Sequence, residues 1–439
     1  MTDAAAQRRA SPQMPKIEKG MLYLVVFLFF AWGFSTVLLD SLIPKLKSLF
    51  ALNYAEVMLT QFCFFLSYFL FSMPAAVVLS KIGYVKSIVL GLIVMATGCL
   101  LISPAAMTGI YPGFLIALFV MAAGITMLQV AANPFIAVLG PERDSSSRLT
   151  LAQAFNSLGT TIGPQIGAAF ILSQSGPASV DTNGMSAPAL AALRIQEAHD
   201  LQIPFIAIAL TLVLVAAIFW QHRKADTAAA GAATGLRSSG RVLAKPRLAI
   251  GTLCIFVYVG AEVSIGSVMI NYLMQGSVLG ISAAQAGKLV SLYWGGAMIG
   301  RFVGSAVMRR IPPGLVLAGC AFGAATLATL SSTSVGMIAA TAIIAVGLCN
   351  SIMFPTIFTL ALEGLGEDKP TGSGILCMAI VGGAIIPEIT GFAADAVGLS
   401  LALFIPAACY LVIATYGLLA WRGLGGVAHL PDRRESSLG

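Results

Sequence analysis

Gln129 to Glu142 reads QVAANPFIAVLGPE, an amide-bearing apolar run broken by Asn133-Pro134 and closed by an acidic residue. In the second half of the chain, Asn350 to Gly364 reads NSIMFPTIFTLALEG, where Phe354-Pro355-Thr356 echoes Asn133-Pro134-Phe135. The echo continues downstream. PQIG (Pro164 to Gly167) follows Pro134, and PEITG (Pro387 to Gly391) follows Pro355 at nearly the same interval. Such a device, recurring in the same order, is a repeated element of a fold.

The surroundings say what kind of fold. Of the 439 residues 58% are hydrophobic and 10% charged, where a soluble chain carries about a quarter charged. Apolar runs of bilayer-crossing length, about 20 residues each, recur throughout. They are continuous rather than alternating, which excludes an outer-membrane β-barrel. The expectation is an all-α polytopic membrane protein with helices at about 21–48, 55–80, 84–103, 112–138, 149–173, 202–221, 248–276, 285–308, 314–331, 335–362, 371–396 and 399–421. Residues 1–20 are polar and the run from Met21 is too long for a signal-peptide core, so it is expected to stay as the first helix. The stretch 223–246, rich in Ala, Gly, Ser and basic residues, reads as a flexible cytoplasmic linker between a half at 21–222 and a half at 247–422, with tails at 1–20 and 423–439. The repeat then falls on helices 4–5 and 10–11. Two parallel six-helix halves with a substrate site between them is the major facilitator architecture.

The net charge of +7 does not point to nucleic acid. All Lys and Arg except Lys45, Lys47, Arg194, Lys288 and Arg301 fall on one side of the twelve spans. The positive-inside rule makes that side, with both termini, cytoplasmic. The seven cysteines are scattered and the three histidines (His199, His222, His429) lie in or beside polar segments, so no metal site is expected. No nucleophile–base pair or phosphate loop falls in a span, so no catalytic residue is expected either.

Ionisable groups within spans are costly and usually face a water-filled cavity or a partner. Asp40 lies in the first span, Glu262 well inside the seventh, Arg301 in the eighth and Glu388 in the eleventh. Asp40 can equally be a plain outer-end residue. Glu262 is a candidate proton carrier. Glu388 corresponds to Gln165 through the repeat and can alternatively satisfy backbone freed by Pro387. Arg301, two turns before Arg309, is expected to snorkel to the cytoplasmic face. Gln61, Gln129, Asn133, Gln153, Asn156, Gln165, Asn271 and Asn350 also fall in or at spans. Gln129 and Asn133 share a helix face, as do Gln153 and Asn156. Amides offer donors and acceptors together, which suits a neutral polyhydroxyl ligand, though amides also simply tie helices together. Trp32, Phe34, Tyr258, Tyr293 and Trp294 are candidate aromatic faces for a sugar ring.

The motifs FFAWGFSTVLLDSLIPKLKSLF, QVAANPFIAVLGPE, RLTLAQAFNSLGT, YVGAEVSIGSVMINYL, GRFVGSAVMRRI, FPTIFTLALEGLG and GGAIIPEITGFAADAVG, in this order over about 21–421, resemble the fucose–galactose–proton symporter family. This is a bacterial branch of the major facilitator superfamily that includes glucose/galactose transporters. The resemblance implies import of a monosaccharide on a proton or sodium gradient through the bacterial inner membrane. It also implies that Asp40 matches a first-helix carboxylate important for coupling or sugar binding. Gln153 and Asn156 match an LAQ-x-FN motif associated with sugar contact. Three departures stand out. Gln129 occupies a position where the fucose–proton symporter has a glutamate, and Gln carries no proton. Glu262 sits where glucose/galactose-like members also tend to be acidic. Glu388 is not the usual residue after its proline. In the loop LSKIGYVKS, Ser80 stands where the general superfamily signature has Asp, which implies a cytoplasmic gate of reduced charge.

The expected function is therefore import of a neutral monosaccharide (a hexose such as glucose, galactose, mannose, fucose or N-acetylglucosamine) by cation-coupled symport through alternating access. Coupling residues are expected at Asp40, Glu262 and Glu388. Sugar contacts are expected at Gln129, Asn133, Gln153, Asn156, Asn271, Trp294 and Asn350. The partners are a small neutral sugar, the lipid bilayer and a coupling H+ or Na+, with no cofactor, no metal and a monomer as the working unit. A drug/proton efflux antiporter would instead want a looser, more aromatic cavity. A non-transporting sugar sensor would be expected to carry a longer signalling tail than either terminus offers.

Overall fold

Continuous apolar character dictates helices that satisfy every backbone group internally, because nothing in a bilayer interior will do so for them. The structure, a computed structural model, describes residues 16–49, 54–108, 111–172, 205–225 and 239–424. The side chains of 16–19, 37–49, 54–61, 103, 106–108, 164–172 and 225 are not among those described. The first half contains α1 (Lys16–Leu49), α2 (Tyr54–Ile82), α3 (Tyr84–Thr108), α4 (Tyr111–Val138), α5 (Ser145–Leu172) and α6 (Phe205–Gln221). The short α7 (Ser239–Leu243) precedes α8 (Pro246–Met274), α9 (Ala283–Val307), α10 (Pro313–Thr333), α11 (Gly336–Asn350) and α12 (Met353–Leu362). The chain continues with α13 (Lys369–Met378), α14 (Gly382–Val397), α15 (Leu399–Ala402) and α16 (Phe404–Trp421). Among the described residues there is no strand, and the twelve expected spans all fall on helix.

Eight of these runs are long and apolar enough to cross a membrane, and α6 and the described part of α1 are shorter apolar helices. The less apolar α5 and α9 pack on each other between the halves, where they are partly sheltered from lipid. Within the first half α3 packs on α4, α1 on α5 and α2 on α4. Within the second, α10 packs on α16, α14 on α8 and α11 on α9. Between the halves α5 packs on α9 and α12, and α13 packs on α2 and α4. Large apolar side chains such as Phe392 and Met337 stay exposed, as a lipid-facing surface requires.

Two expected spans are not single helices. The tenth breaks at Ser351-Ile352 between α11 and α12, and the eleventh carries a 3-10 turn, Ala379–Val381, between α13 and α14. Pro355 lies in the first turn of α12, where a missing N–H is tolerated. It leaves the Ser351 carbonyl, four residues back, without its helical donor. At the eleventh span, Gly382 and Gly383 follow the turn, and a Cβ on Gly382 would run into the Phe256 backbone of α8. The close approach fixes that turn. The stretch 223–246 also differs from a wholly flexible linker. Residues 226–238 lie outside the described residues, but α7 follows with Val242 fully buried, and Lys245 Nζ bonds Asp368 Oδ2 at 2.9 Å. Arg247, read as a loop residue, is buried in an ion pair with Glu363.

Pro134 stands inside the unbroken α4 and likewise frees a carbonyl, that of Val130. The hydroxyl of Ser373, on α13 in the other half, donates to that carbonyl at 2.7 Å. Ser373→Ala should therefore lower the thermal unfolding temperature of the purified protein by about 1–3 °C, for a loss of about 1–3 kcal/mol from a buried acceptor left without its donor. An unchanged melting curve would show that the freed carbonyl finds another donor.

Candidate functional site

A chain of amides crosses the first half. Gln153 Nε2 on α5 donates to Asn133 Oδ1 on α4 at 3.4 Å, and Asn133 Nδ2 donates to Gln129 Oε1 at 2.7 Å. Gln129 Nε2 reaches the Tyr68 hydroxyl on α2 at 3.5 Å. The i,i+4 spacing that put Gln129 and Asn133 on one face thus yields a direct bond. Asn133 and Gln153 are buried and Gln129 is half-buried. Asn156 turns to α1, where its Nδ2 donates to the Phe29 carbonyl at 2.9 Å. That contact needs Gly33, because a Cβ there would lie 2.7 Å from Asn156 Nδ2.

The second half holds a different set of groups. Tyr258 on α8 donates to Glu262 Oε1 at 2.8 Å and lies 3.1 Å from the Asn350 carbonyl. Asn350 Nδ2 donates to the Tyr293 hydroxyl at 2.7 Å. Trp294 stacks edge-on against Tyr293, with ring centroids 5.1 Å apart. Its Cζ2 lies 3.3 Å from where a Cβ on Gly266 would stand, and Gly266 is one turn beyond Glu262. An acid, an amide, two phenols and an indole therefore meet on α8, α9 and α11.

Arg301 joins the two sets. On α9 it sits seven residues after Trp294 and hence on the same face. Its Nη1 donates to the Ser157 hydroxyl and, at 3.5 Å, to the Gln153 carbonyl, both on α5 in the other half. Its Nε donates to the Ser351 carbonyl at 3.1 Å. The expected snorkelling does not occur. The Ser351 carbonyl left open by Pro355 and the Ser157 hydroxyl lie within reach, and Gly300 lets α9 approach α11 closely. Along the same seam Ser147 Oγ donates to the Ser305 carbonyl at 2.7 Å and Ser305 Oγ to the Ser147 carbonyl at 2.8 Å. Arg309 Nε reaches Ser147 Oγ at 3.4 Å, and the hydroxyls of Ser146 and Thr359 meet at 2.6 Å. Beyond them, Lys369 and Glu142 pair across the halves at 3.5 Å. The halves are thus joined at the end that carries the basic loops.

Not every expected residue belongs to this arrangement. Glu388 is exposed on α14, and no bond to backbone freed by Pro387 is seen among the described residues. Asn271 is exposed, nine residues beyond Glu262 and so on the opposite side of α8. Trp294 is half open, at 46% exposure, as a ring facing a cavity would be. Asp40 lies in α1, with its side chain outside the described residues, as are those of Gln61 and Gln165. The residues missed from sequence are Tyr68, Ser157 and Ser351, while Arg301 was singled out but assigned to the cytoplasmic face rather than to the seam. The available signal was the proline at Pro355, which announces an open carbonyl at Ser351. Among the described residues no three His, Cys, Asp or Glu side chains cluster as metal ligands.

The profile that describes the Major Facilitator Superfamily matches residues 24–387. The glucose/galactose transporter of Brucella abortus is 48% identical over 395 residues, which span 90% of this chain and 92% of that protein. The L-fucose-proton symporter of Escherichia coli is 35% identical over 400 residues, spanning 89% and 90%. The crystal structure of the Major Facilitator Superfamily transporter FucP in the outward conformation superposes with a TM-score of 0.85. It is 33% identical and covers 92% of this chain and 99% of that one.

The close approach of α9 to α11 makes a signed prediction. A Cβ on Gly300 would lie 2.5 Å from Ser351 Oγ and 2.8 Å from the Leu348 carbonyl, whereas one on Gly319 meets nothing within 4 Å. Gly300→Ala should destabilise by about 1–3 kcal/mol through overpacking. Gly319→Ala should leave stability unchanged or raise it by up to about 1 kcal/mol. Thermal melts of the two purified variants that moved together would contradict this packing.

Proposed function

The chain belongs to the Major Facilitator Superfamily, and from that premise we propose that it imports a neutral monosaccharide, a hexose, by cation-coupled symport through alternating access. It is a multi-pass membrane protein. Both termini and the basic loops lie in the cytoplasm of a bacterial inner membrane, a reading that rests on the one-sided distribution of Lys and Arg. The seams between the halves then close the cytoplasmic end, and the substrate enters from outside.

The observation that carries this reading is the pairing of an uncharged amide chain in one half with a carboxylic acid beside aromatic rings in the other. Hydroxyls of a sugar both donate and accept, as amides do, and its C–H face suits an indole. Gln153, Asn133 and Gln129 are the hydrogen-bonding side of the site, and Trp294 with Asn350 is the opposite wall. Asn156 fixes α5 to α1 and holds the amide chain in place. Glu262 carries the coupling charge, with Asp40 as a second candidate on α1. A bound proton or sodium ion cancels the charge of Glu262, and the sugar fills the cavity. The loaded site is then less costly to close, and the halves rock about it.

Purified protein in proteoliposomes should accumulate one labelled hexose under an imposed proton gradient or an imposed sodium gradient, and should not accumulate it when neither gradient is imposed. Gln153→Ala should weaken sugar uptake by roughly tenfold or more, as loss of a buried hydrogen bond to a substrate hydroxyl does. Glu262→Gln should abolish uphill uptake while sugar exchange at equal concentrations persists. Uphill uptake intact in that variant would remove Glu262 from coupling, and absence of any sugar movement by the unaltered protein would remove the importer reading.

A further inference from the structure

Arg301 is the point at which the site, the seam and the helix break meet. Its Nε occupies the Ser351 carbonyl that Pro355 leaves open. The preceding carbonyl, of Asn350, lies 3.1 Å from the Tyr258 hydroxyl that donates to Glu262. Tyr258, the hydrogen-bond partner of Glu262, and Arg301 therefore stand at consecutive carbonyls of one break, and no ion pair joins Glu262 to Arg301 among the described residues. The groups that face Glu262 are Tyr258 on its own helix, Arg301 and Tyr293 on α9, and Tyr410 on α16. Of these, Arg301 is the cation. Its other arm holds the opposite half through Ser157 and through the backbone of Gln153, the residue that begins the amide chain.

We propose that Arg301 is the coupling latch: it holds the cytoplasmic seam closed while Glu262 is ionised, and neutralisation of Glu262 releases it. The proposal rests on the reading of Glu262 as carrier of the coupling charge. A guanidinium is tolerated between packed helices when a counter-charge is near. Remove that charge and the cation is left uncompensated in a poorly solvated place. Hydration relieves this, and the closed seam withholds water where an opened one admits it. Loading thus raises the energy of the closed state at the contact that must break. The route is short, because the acid and the seam share one side chain as neighbour. It also touches the sugar side, since any shift of Gln153 moves a carbonyl that Arg301 holds.

The test uses the full chain in proteoliposomes, with spin labels at Lys86 and Arg310, exposed at the basic ends of the two halves, on a background without the seven cysteines. Hexose accumulation by the labelled protein under a gradient is checked first, and its absence would refute the importer reading rather than the latch. Glu262→Gln should then raise the open-to-closed ratio at this end roughly tenfold, within the range of coupling between linked sites. Arg301→Gln alone should itself favour the open state, since its contacts to Ser157, Gln153 and Ser351 are lost, and adding Glu262→Gln to it should change the ratio no further. The ratio should rise as pH falls in the unaltered protein and stay flat in Arg301→Gln. An equal rise from Glu262→Gln with and without Arg301, or an unchanged pH response in Arg301→Gln, would overturn the latch. Should Arg301→Gln fail to fold, Ser157→Ala decides. It removes one latch contact and no charge, so it should favour the open state yet keep the pH response, and an unaltered ratio would count against the proposal.

Discussion

Two backbone carbonyls that prolines have deprived of their helical donors govern how this molecule is put together. In an apolar environment a carbonyl without a partner costs several kcal/mol by transfer measures, on the order of 2–7. Pro134 and Pro355 each create one, at Val130 and Ser351. Ser373 answers the first from the opposite half, and Arg301 answers the second from its own half while reaching into the other. The helices that carry the repeat are therefore complete only when their neighbours are seated. A movement that separates the halves must bring water to Val130 at the moment it withdraws Ser373, so opening and hydration of this end are one event.

The repeat duplicates the device but not its chemistry. In the first half it sits beside neutral amides that spend much of their capacity on one another, from Gln153 to Asn133 to Gln129. In the second it sits beside the acid–tyrosine pair and a guanidinium. An amide chain passes a positional change along without altering charge. An acid next to a cation responds to a proton or an ion. The two halves thus supply recognition and coupling separately, and among the described residues it is the Arg301 contacts to Ser157 and Gln153 that cross between these sets of groups.

Much of this was legible in the sequence. Continuous apolar runs announced the helices, the echoed prolines announced the two halves, and i,i+4 spacing announced the Gln129–Asn133 contact. Arg301 was not legible, because an arginine two turns from a helix end has the same local pattern whether it rises to the headgroups or turns into a seam. Only the tertiary approach of α9 to Ser351, permitted by Gly300, decides between these. Glu388 shows the reverse case. Its proline and its repeat partner singled it out, but the helix rotation set by Gly382 against α8 and Gly383 against Phe65 leaves it exposed. The breaks within the tenth and eleventh spans were hidden for a related reason, since hydropathy runs through them without a change.

The strengths of the contacts are sorted in a way that suits rocking halves. Charged contacts sit mainly inside each half. Arg148 donates to the carbonyls of Ile136, Ala137 and Pro141 and so ties α5 to the end of α4, while the buried Arg247–Glu363 pair ties α8 to the end of α12. Breaking a buried pair by removing one partner costs about 3–5 kcal/mol, so these joints hold each half as a body. Between the halves stand Ser147 with Ser305, Ser146 with Thr359 and Ser373 with Val130, neutral bonds of about 0.5–1.5 kcal/mol each. The Lys369–Glu142 pair adds little, since Glu142 is 60% exposed. A seam built this way opens for a few kcal/mol, within what a site changing its charge state can deliver. Arg301, like Arg309 at Ser147, places a full charge among these weak contacts, and its seat one carbonyl along from the tyrosine that holds Glu262 is what lets the balance of the seam depend on what the site has bound.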